Sequence, residues 1–212
     1  MKLLSYLPFI VAALAAAVPS ADALPNGLSF RSEAPGNYSI AEIEWRGMPD
    51  FDKDRVFTGT IENVIDQMRT IKGPDYKPEF MIDSDATNHG PAGKRNSHAE
   101  SGDHYVTCGG PDASAGRIQQ GINYLSNLPD SVMCSMPPGP KNCGRISCSW
   151  KSGIWWCNEK PTTSDLYQCN IFALYAAEIL ESCAIDDDNP RVAGYNWDSG
   201  FNFTVQVKEA WC

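Results

Sequence analysis

The sequence predicts an α+β protein in which a disulfide-stapled α/β sandwich forms the C-terminal half and a small ββα unit precedes it. Three observations support this prediction. The 212 residues are 42% hydrophobic and 10% aromatic, which suffices for a packed core. All eight cysteines lie between Cys108 and Cys212. In that half, alternating apolar and polar stretches are interspersed with stretches of helical period.

The charge balance argues against two broad classes of partner. There are 17 Lys and Arg residues against 26 Asp and Glu residues, which gives a formal net charge of −9 at pH 7. A nucleic-acid-binding protein needs a basic stripe that displaces the counterions of the phosphates. Anionic membranes also attract basic segments. We therefore expect no nucleic-acid partner and no stable membrane insertion.

Residues 1–23 have the composition of a secretory signal peptide. An apolar stretch over residues 3–18 follows Lys2, and residues 21–23 (Ala-Asp-Ala) have the small-residue pattern that signal peptidase recognises. A membrane anchor is the alternative, but Pro8 interrupts the stretch and no basic cluster follows it. The sequence therefore predicts a secreted, extracellular protein.

Secretion would place the eight cysteines in an oxidising environment, where an even number is typical of disulfides. The sequence does not select one pairing among the many that are possible. A cysteine nucleophile and a zinc site both need free thiolates, which disulfides remove. We therefore predict no catalytic cysteine, no metal and no other cofactor. The predicted disulfide residues are Cys108, Cys134, Cys143, Cys148, Cys157, Cys169, Cys183 and Cys212.

Residues 24–95 contain no cysteine and predict two strands and a helix. Ile40–Trp45 and Arg55–Thr58 are the predicted strands. Thr60 can cap the helix through its hydroxyl, and Gly73 ends it. A unit this small is not expected to be stable alone without additional support. The apolar face of the helix comprises Ile61, Val64, Ile65, Met68 and Ile71.

Residues 83–101 have the polar composition of an exposed linker and include the dibasic pair Lys94 and Arg95. Kexin-type proteases of the secretory pathway cleave after such pairs, whereas a solvated charge pair is the alternative interpretation. The preceding signal peptide and the position just before the first cysteine favour cleavage. We therefore predict a pro-region over residues 24–95 and a mature disulfide-rich domain over residues 96–212.

The mature domain contains four predicted strands and two predicted helices. A short strand at Tyr105–Cys108 precedes a helix that begins after Asp112 and ends before Pro129. The second helix is predicted over Asp165–Cys183. The last strand, Phe201–Lys208, alternates cleanly between apolar and polar residues.

The two middle strands form a predicted hairpin. Arg145–Trp150 and Ile154–Cys157 flank Ser152-Gly153, which we expect to be the turn. Successive strand residues point to opposite faces, so we expect at least one of Trp155 and Trp156 to be exposed. An exposed tryptophan is a typical anchor for a binding partner.

The predicted order is β-α-β-β-α-β, which is the split βαβ of ferredoxin-like sandwiches. With the signal peptide, the cysteine-free pro-region and Lys94-Arg95, the chain resembles fungal secreted cysteine-rich effectors. The segments Arg145–Cys148, Ile154–Asn158 and Phe203–Val207 look like those of small fungal secreted proteins. The strand and helix order resembles the α/β sandwich of fungal viral killer toxins. The first half departs from those toxins, so the resemblance covers residues 96–212.

This resemblance implies a virulence-associated effector that binds a host extracellular or host-cell protein. Inhibition of a secreted host protease is one mode, since small disulfide-rich proteins suit it. A killer-type toxin against competing microbes or host membranes is an alternative. A ribonuclease is the other, and it would use His104 with Glu159 or Glu178 as acid and base and Arg145 for the phosphate. We expect a binding protein and not an enzyme.

Two tripeptides match the N-glycosylation sequon. Asn37 begins one in the predicted pro-region, and Asn202 begins the other in the mature domain. We expect Asn202 to face outward from an edge strand, so a glycan there would cover that side of the sheet.

Overall fold

The computed structural model describes residues 38–81, 104–161, 165–185 and 188–212. The predicted signal peptide, Asn37 and the dibasic pair Lys94-Arg95 lie outside these residues. Within the described ranges, no helix is both long and apolar enough to cross a membrane.

Residues 38–81 contain the predicted helix and a shorter form of the second predicted strand, but the predicted strand Ile40–Trp45 is divided between two short strands of different sheets. The strands are β1 (Ser39–Ile40), β2 (Glu44–Arg46) and β3 (Phe57–Thr58), and the helix is α1 (Ile61–Lys72). A short 3₁₀ turn follows at Glu79–Met81.

The boundaries of α1 are those that the sequence predicts. The Thr60 hydroxyl accepts a hydrogen bond from the Asn63 N–H at 3.4 Å, and the Thr60 N–H donates to the Asn63 side chain at 3.2 Å. The two residues therefore form a capping box, in which each side chain accepts a hydrogen bond from the backbone N–H of the other. Gly73 ends α1 with a φ of 111°, which favours glycine.

The disulfide-rich half has more strands than the sequence predicts. In chain order its elements are β4 (His104–Ser114), α2 (Ala115–Ser126), β5 (Met133–Met136), β6 (Asn142–Ser149), β7 (Ser152–Asn158), β8 (Asp165–Gln168), α3 (Ile171–Cys183), β9 (Ala184–Ile185), β10 (Arg191–Asp198) and β11 (Phe203–Glu209).

The large sheet has the strand order β1-β6-β7-β11-β10-β4, with β9 beside β10. It is mixed, because β1 runs parallel to β6 while the other paired strands are antiparallel. Helices α2 and α3 contact one another and this sheet, and α1 contacts β6. The protein is therefore α+β, as predicted, but β4 lies at an edge and the ferredoxin-like strand order is wrong.

Strand β10 is the longest of the strands that the sequence did not predict. Its alternation is obscured because Asn196 and Asp198 are polar yet fully buried. Gly194 also lies in this strand, where a β-carbon would come within 2.8 Å of the Thr107 carbonyl and 3.0 Å of Ile179. Because β10 approaches β4 and α3 so closely here, a glycine occupies a position where the pattern of a buried strand would have a large apolar side chain.

A second sheet has the order β3-β2-β5-β8, so it takes two strands from each half of the chain. Residues 165–168 pair with β5 instead of starting α3, which begins at Ile171. The Cys134–Cys169 disulfide lies beside this pairing. The predicted start of the second helix is therefore wrong, because tertiary pairing overrides local helical preference there.

The hairpin of β6 and β7 has a different turn from the predicted one. Ser149 pairs with Ser152, so Trp150 and Lys151 form the two-residue turn with φ values of 47° and 60°. Gly153 instead lies in β7, where a β-carbon would approach Ala210 Cβ at 2.8 Å. Gly153 is thus needed for packing and not for the turn.

The prediction that all eight cysteines form disulfides is confirmed. The bonds are Cys108–Cys183, Cys134–Cys169, Cys143–Cys157 and Cys148–Cys212. None of them reaches residues 38–81, because that segment has no cysteine.

Residues 38–81 nevertheless share one hydrophobic core with the disulfide-rich half. Trp45 and Phe57 from the first segment lie in the same buried cluster as Leu125, Val132 and Trp156. The described residues therefore form one compact unit and not a separate ββα unit followed by a second domain. Packing against the second half supplies the support that so short a segment needs.

Candidate functional site: an exposed tryptophan surface

Neither of the tryptophans predicted to contact a partner is accessible. Trp155 and Trp156 are both fully buried. The Trp156 ring packs 4.7 Å from the Phe172 ring under the helices, whereas Trp155 packs on the other face with Cys143 and Cys157. The expectation that one of them is exposed is wrong, because this hairpin is covered on both faces.

Two other tryptophans are exposed. Trp150 exposes 76% of its surface and Trp211 exposes 65%. Trp150 lies in the turn between β6 and β7, and Trp211 follows β11. A large apolar side chain in water is costly in free energy, so exposed tryptophans are a common mark of a binding surface.

The turn itself is formed by unfavourable residue types. Trp150 and Lys151 both have positive φ angles, a conformation that usually selects Asn-Gly or Asp-Gly. Positive φ in a bulky residue carries a strain of about 1–3 kcal/mol. The pairing of β6 with β7 offsets this strain. The turn therefore holds a tryptophan at the tip of the hairpin.

Four cationic side chains accompany the exposed tryptophans. The Arg117 guanidinium lies 5.1 Å from the centre of the Trp150 ring, and the Lys151 ammonium lies 4.5 Å from that of Trp211. Arg145 donates a hydrogen bond to the Trp211 carbonyl. We call this group the tryptophan surface, and it comprises Arg117, Arg145, Trp150, Lys151, Lys208 and Trp211.

Two of these cations, Arg145 and Lys208, also contact the buried ring of Trp155. The Arg145 guanidinium and the Lys208 ammonium lie 5.5 Å and 5.3 Å from the centre of its buried ring. Such contacts are favourable because the ring face carries partial negative charge. The exposed Glu209 lies among these side chains, because it pairs with Ser152 beside the turn, but the four cations outnumber it on a protein whose formal net charge is −9.

Covalent and backbone bonds fix the two exposed tryptophans relative to one another. The Cys148–Cys212 disulfide joins β6 to the residue after Trp211. The Ala210 N–H donates to the Lys151 carbonyl at 3.2 Å. Both tryptophans are therefore held before a partner arrives, which lowers the entropic cost of binding.

The sequence carries a weak signal for this surface. Ser149 and Ser152 are small residues that flank the dipeptide Trp150-Lys151. Trp211 carries no comparable signal, since the pairing of β11 with β7 and the Cys148–Cys212 disulfide bring it beside the hairpin.

A second polar cluster lies where α3 meets β4 and β10. His104 Nδ1 lies 3.2 Å from Glu178 Oε2, and Asn196 donates to the same oxygen at 2.6 Å. Tyr175 donates to the buried Asp198 carboxylate at 2.5 Å, and burial together with this bond raises the pKa of Tyr175. The cluster therefore pairs one histidine with one carboxylate near the surface.

This arrangement brings together only part of the predicted ribonuclease site. Glu178 is next to His104, but Glu159 instead accepts a hydrogen bond from Tyr38. Arg145 lies on β6, which β7, β11 and β10 separate from β4. The phosphate-binding cation that such a site requires therefore does not accompany His104.

The residues that the structure describes contain no cluster of three or more His, Cys, Asp or Glu side chains that could hold a metal ion. Asn202 lies in the turn between β10 and β11 with a φ of 54°. Because β11 is an interior strand, the prediction that Asn202 lies on an edge strand is wrong.

Comparison of the chain with protein-family models, with curated proteins and with solved structures found no match. Among the residues that the structure describes, the tryptophan surface and the His104 cluster are the two features that bear on function.

Proposed function

We propose that this protein is a secreted, virulence-associated effector that binds a host protein through the tryptophan surface. The observation that carries the proposal is the pair of exposed tryptophans at the tip of the β6–β7 hairpin, with Arg117 beside Trp150 and Lys151 beside Trp211. Tryptophan and arginine are the residue types that contribute most to protein–protein affinity.

The chemistry of the surface selects an acidic partner. Arg117, Arg145, Lys151 and Lys208 give it a local positive charge that complements Asp and Glu side chains. Charge complementarity speeds association and excludes partners of the wrong sign. The tryptophan rings would supply the apolar contact at the centre of such an interface.

Protease inhibition is one form that this binding can take. The Pro-rich loop between β5 and β6 is one candidate for an inhibitory segment, and disulfides at Cys134 and Cys143 flank it. However, Lys141 has a φ of 68° and its carbonyl accepts the Ser39 N–H at 2.7 Å. The backbone at Lys141 is therefore not extended and its carbonyl is already paired, whereas a protease cleft receives an extended segment with free backbone groups. The tryptophan surface is the better inhibitory contact.

The proposal predicts that loss of the tryptophans abolishes binding. The full secreted protein would capture partners from host extracellular fluid, and each purified partner would then be titrated by calorimetry. We expect the double variant Trp150→Ala, Trp211→Ala to bind at least about 30-fold more weakly, since a tryptophan hot spot contributes about 2 kcal/mol or more. Rising salt should also weaken binding.

The matched control is Tyr105→Ala, which removes an aromatic side chain of 56% exposure from a different edge of the sheet. It should leave the affinity unchanged. Equal affinity of the double variant and the wild-type protein would exclude the tryptophan surface as the binding site. Assays of protease inhibition and of microbial growth would then separate the inhibitory mode from a killer-type toxin.

A secreted ribonuclease is the second candidate, because His104 and Glu178 lie in contact. If the protein cleaves RNA, the variants His104→Ala and Glu178→Gln should each lower the rate by about a hundredfold or more. RNA cleavage that both variants abolish would replace the binding proposal with an enzymatic one.

A further inference from the structure

We propose that residues 104–212 carry a built binding surface for residues 38–81, so that cleavage between them leaves a noncovalent two-chain protein. The alternative is that cleavage frees the disulfide-rich domain to act by itself. Contacts of four kinds favour retention of the first segment.

Backbone pairing is the first kind of contact. The Ser39 N–H donates to the Lys141 carbonyl at 2.7 Å, and the Ala41 N–H donates to the Cys143 carbonyl at 2.8 Å. Strand β2 pairs with β5 in the second sheet. Departure of residues 38–81 would therefore leave unpaired edges on both sheets, which are prone to aggregation.

Shape complementarity is the second kind. Ile43 is fully buried against Gly144, where a β-carbon would overlap the Ile43 side chain. A β-carbon on Gly47 would likewise overlap the Ser131 carbonyl. Each segment therefore supplies a glycine that admits the other, which is the close fit of a protein interior.

A half-buried carboxylate is the third kind. Ser147 donates a hydrogen bond to Glu62 at 2.6 Å, and the Cys148 N–H donates to the other oxygen of the same carboxylate at 2.9 Å. Serine and backbone donors of the second half thus satisfy an acidic side chain of the first. Such a directional contact fixes α1 against β6 in one position.

The shared apolar core is the fourth kind. Side chains of residues 38–81 that are buried in it are Ile43, Trp45, Met48, Phe57, Ile61, Val64, Ile65, Met68 and Phe80. Asn127 also donates to the Phe80 carbonyl at 3.3 Å. Exposure of this much apolar surface on both partners opposes dissociation.

No covalent bond accompanies these contacts. The first segment has no cysteine, and all eight cysteines are paired with one another. A cut after Arg95 would thus give two chains that denaturant alone separates.

The test begins with the purified full chain, cut by a kexin-type protease. Gel filtration in native buffer should then show both chains in one peak at equal amounts, and a denaturing gel without reductant should show them apart. A second form, in which the recognition sequence of a site-specific protease replaces residues 91–95, gives the same cut if Arg95 resists the kexin-type enzyme. Separation of the chains in native buffer, in either form, would overturn the proposal.

A matched pair of variants tests the origin of the retention. Ile43→Glu places a charge in the buried contact with Gly144, whereas Ile71→Glu places the same charge at a site that is 49% exposed. We expect at least tenfold weaker retention for Ile43→Glu and no change for Ile71→Glu. Serial dilution of the unsubstituted cut protein gives the dissociation constant independently, and a value weaker than micromolar would also overturn the proposal.

Discussion

Residues 38–81 and residues 104–212 contribute to the same two sheets, but they are held there by different means. Four disulfides staple the second region, whereas the first is held by packing and hydrogen bonds alone. The cysteine boundary in the sequence is therefore not a boundary in the fold. A segment without covalent staples can belong fully to a disulfide-rich core when it completes the sheets of that core.

The sharpest test of this comparison is a buried tryptophan in the unstapled region. Trp45 is fully buried and donates to the Gly59 carbonyl at 2.8 Å. Trp45→Ala should lower the free energy of unfolding by about 3–5 kcal/mol, as large core truncations do. Trp150→Ala is the matched control, and its effect should stay within about 0.5 kcal/mol because the side chain is exposed. Urea unfolding measures both, and a small loss for Trp45→Ala would mean that the first region is dispensable.

The second test concerns the staples themselves. Cys108–Cys183 closes a sequence separation of 75 residues and Cys143–Cys157 closes one of 14. In the chain-entropy account, paired substitution by alanine should cost about 4 kcal/mol for the longer loop and about 3 kcal/mol for the shorter. Thermal unfolding of the two double variants compares them. The reverse order would show that burial of the Cys143–Cys157 bond matters more than loop length.

The third test removes the carboxylate that joins the two regions. Glu62→Ala leaves the Ser147 hydroxyl and the Cys148 N–H without their acceptor, which should cost about 1–3 kcal/mol. Glu44→Ala is the control, because Glu44 forms only an exposed pair with Arg46 and should cost under about 1 kcal/mol. Equal losses in urea unfolding would remove Glu62 from the contacts that position α1.

The smallest expected effect is the pH dependence of the same contact. Burial raises the pKa of Glu62, although the hydrogen bonds from Ser147 and Cys148 oppose the shift. Because the folded protein binds this proton more tightly, the stabilisation is complete below the unfolded pKa and is lost as pH rises through the folded pKa. Glu62→Gln should therefore flatten the decline in stability as pH rises above about 4.5, the ordinary pKa of a glutamate. An unchanged profile would mean that groups other than Glu62 cause the pH dependence of stability.

Local signals predicted some elements accurately and others not at all. Helix α1 follows from a polar cap, an apolar face and a terminal glycine, all of which lie within its own sequence. The strand conformation of residues 165–168 depends instead on pairing with β5, which is distant in sequence. Strand β10 escaped prediction because Asn196 and Asp198 are polar yet buried, where the Asn196 amide donates to Glu178 and the Asp198 carboxylate accepts from Tyr175 on α3.

The candidate site shows the same division. The sequence indicates that some tryptophan of the hairpin is a binding residue, but it selects Trp155 and Trp156, which are buried. Exposure of Trp150 depends on a turn with positive φ angles, and exposure of Trp211 beside it depends on the Cys148–Cys212 disulfide. Both depend on partners distant in sequence or on strand pairing: Cys212 needs Cys148, and the turn needs the register of β6 on β7.

The sequence by itself determined the fold class, the pairing state of all eight cysteines and the bounds of α1, because composition and local patterns decide these properties. Only the tertiary structure decided the strand order, the disulfide partners and the residues of the tryptophan surface. Those properties depend on contacts between residues distant in sequence, such as Cys148 with Cys212 and Trp45 with the core of the second half. The free energy of such contacts comes from packing and pairing across the chain, which local patterns do not report.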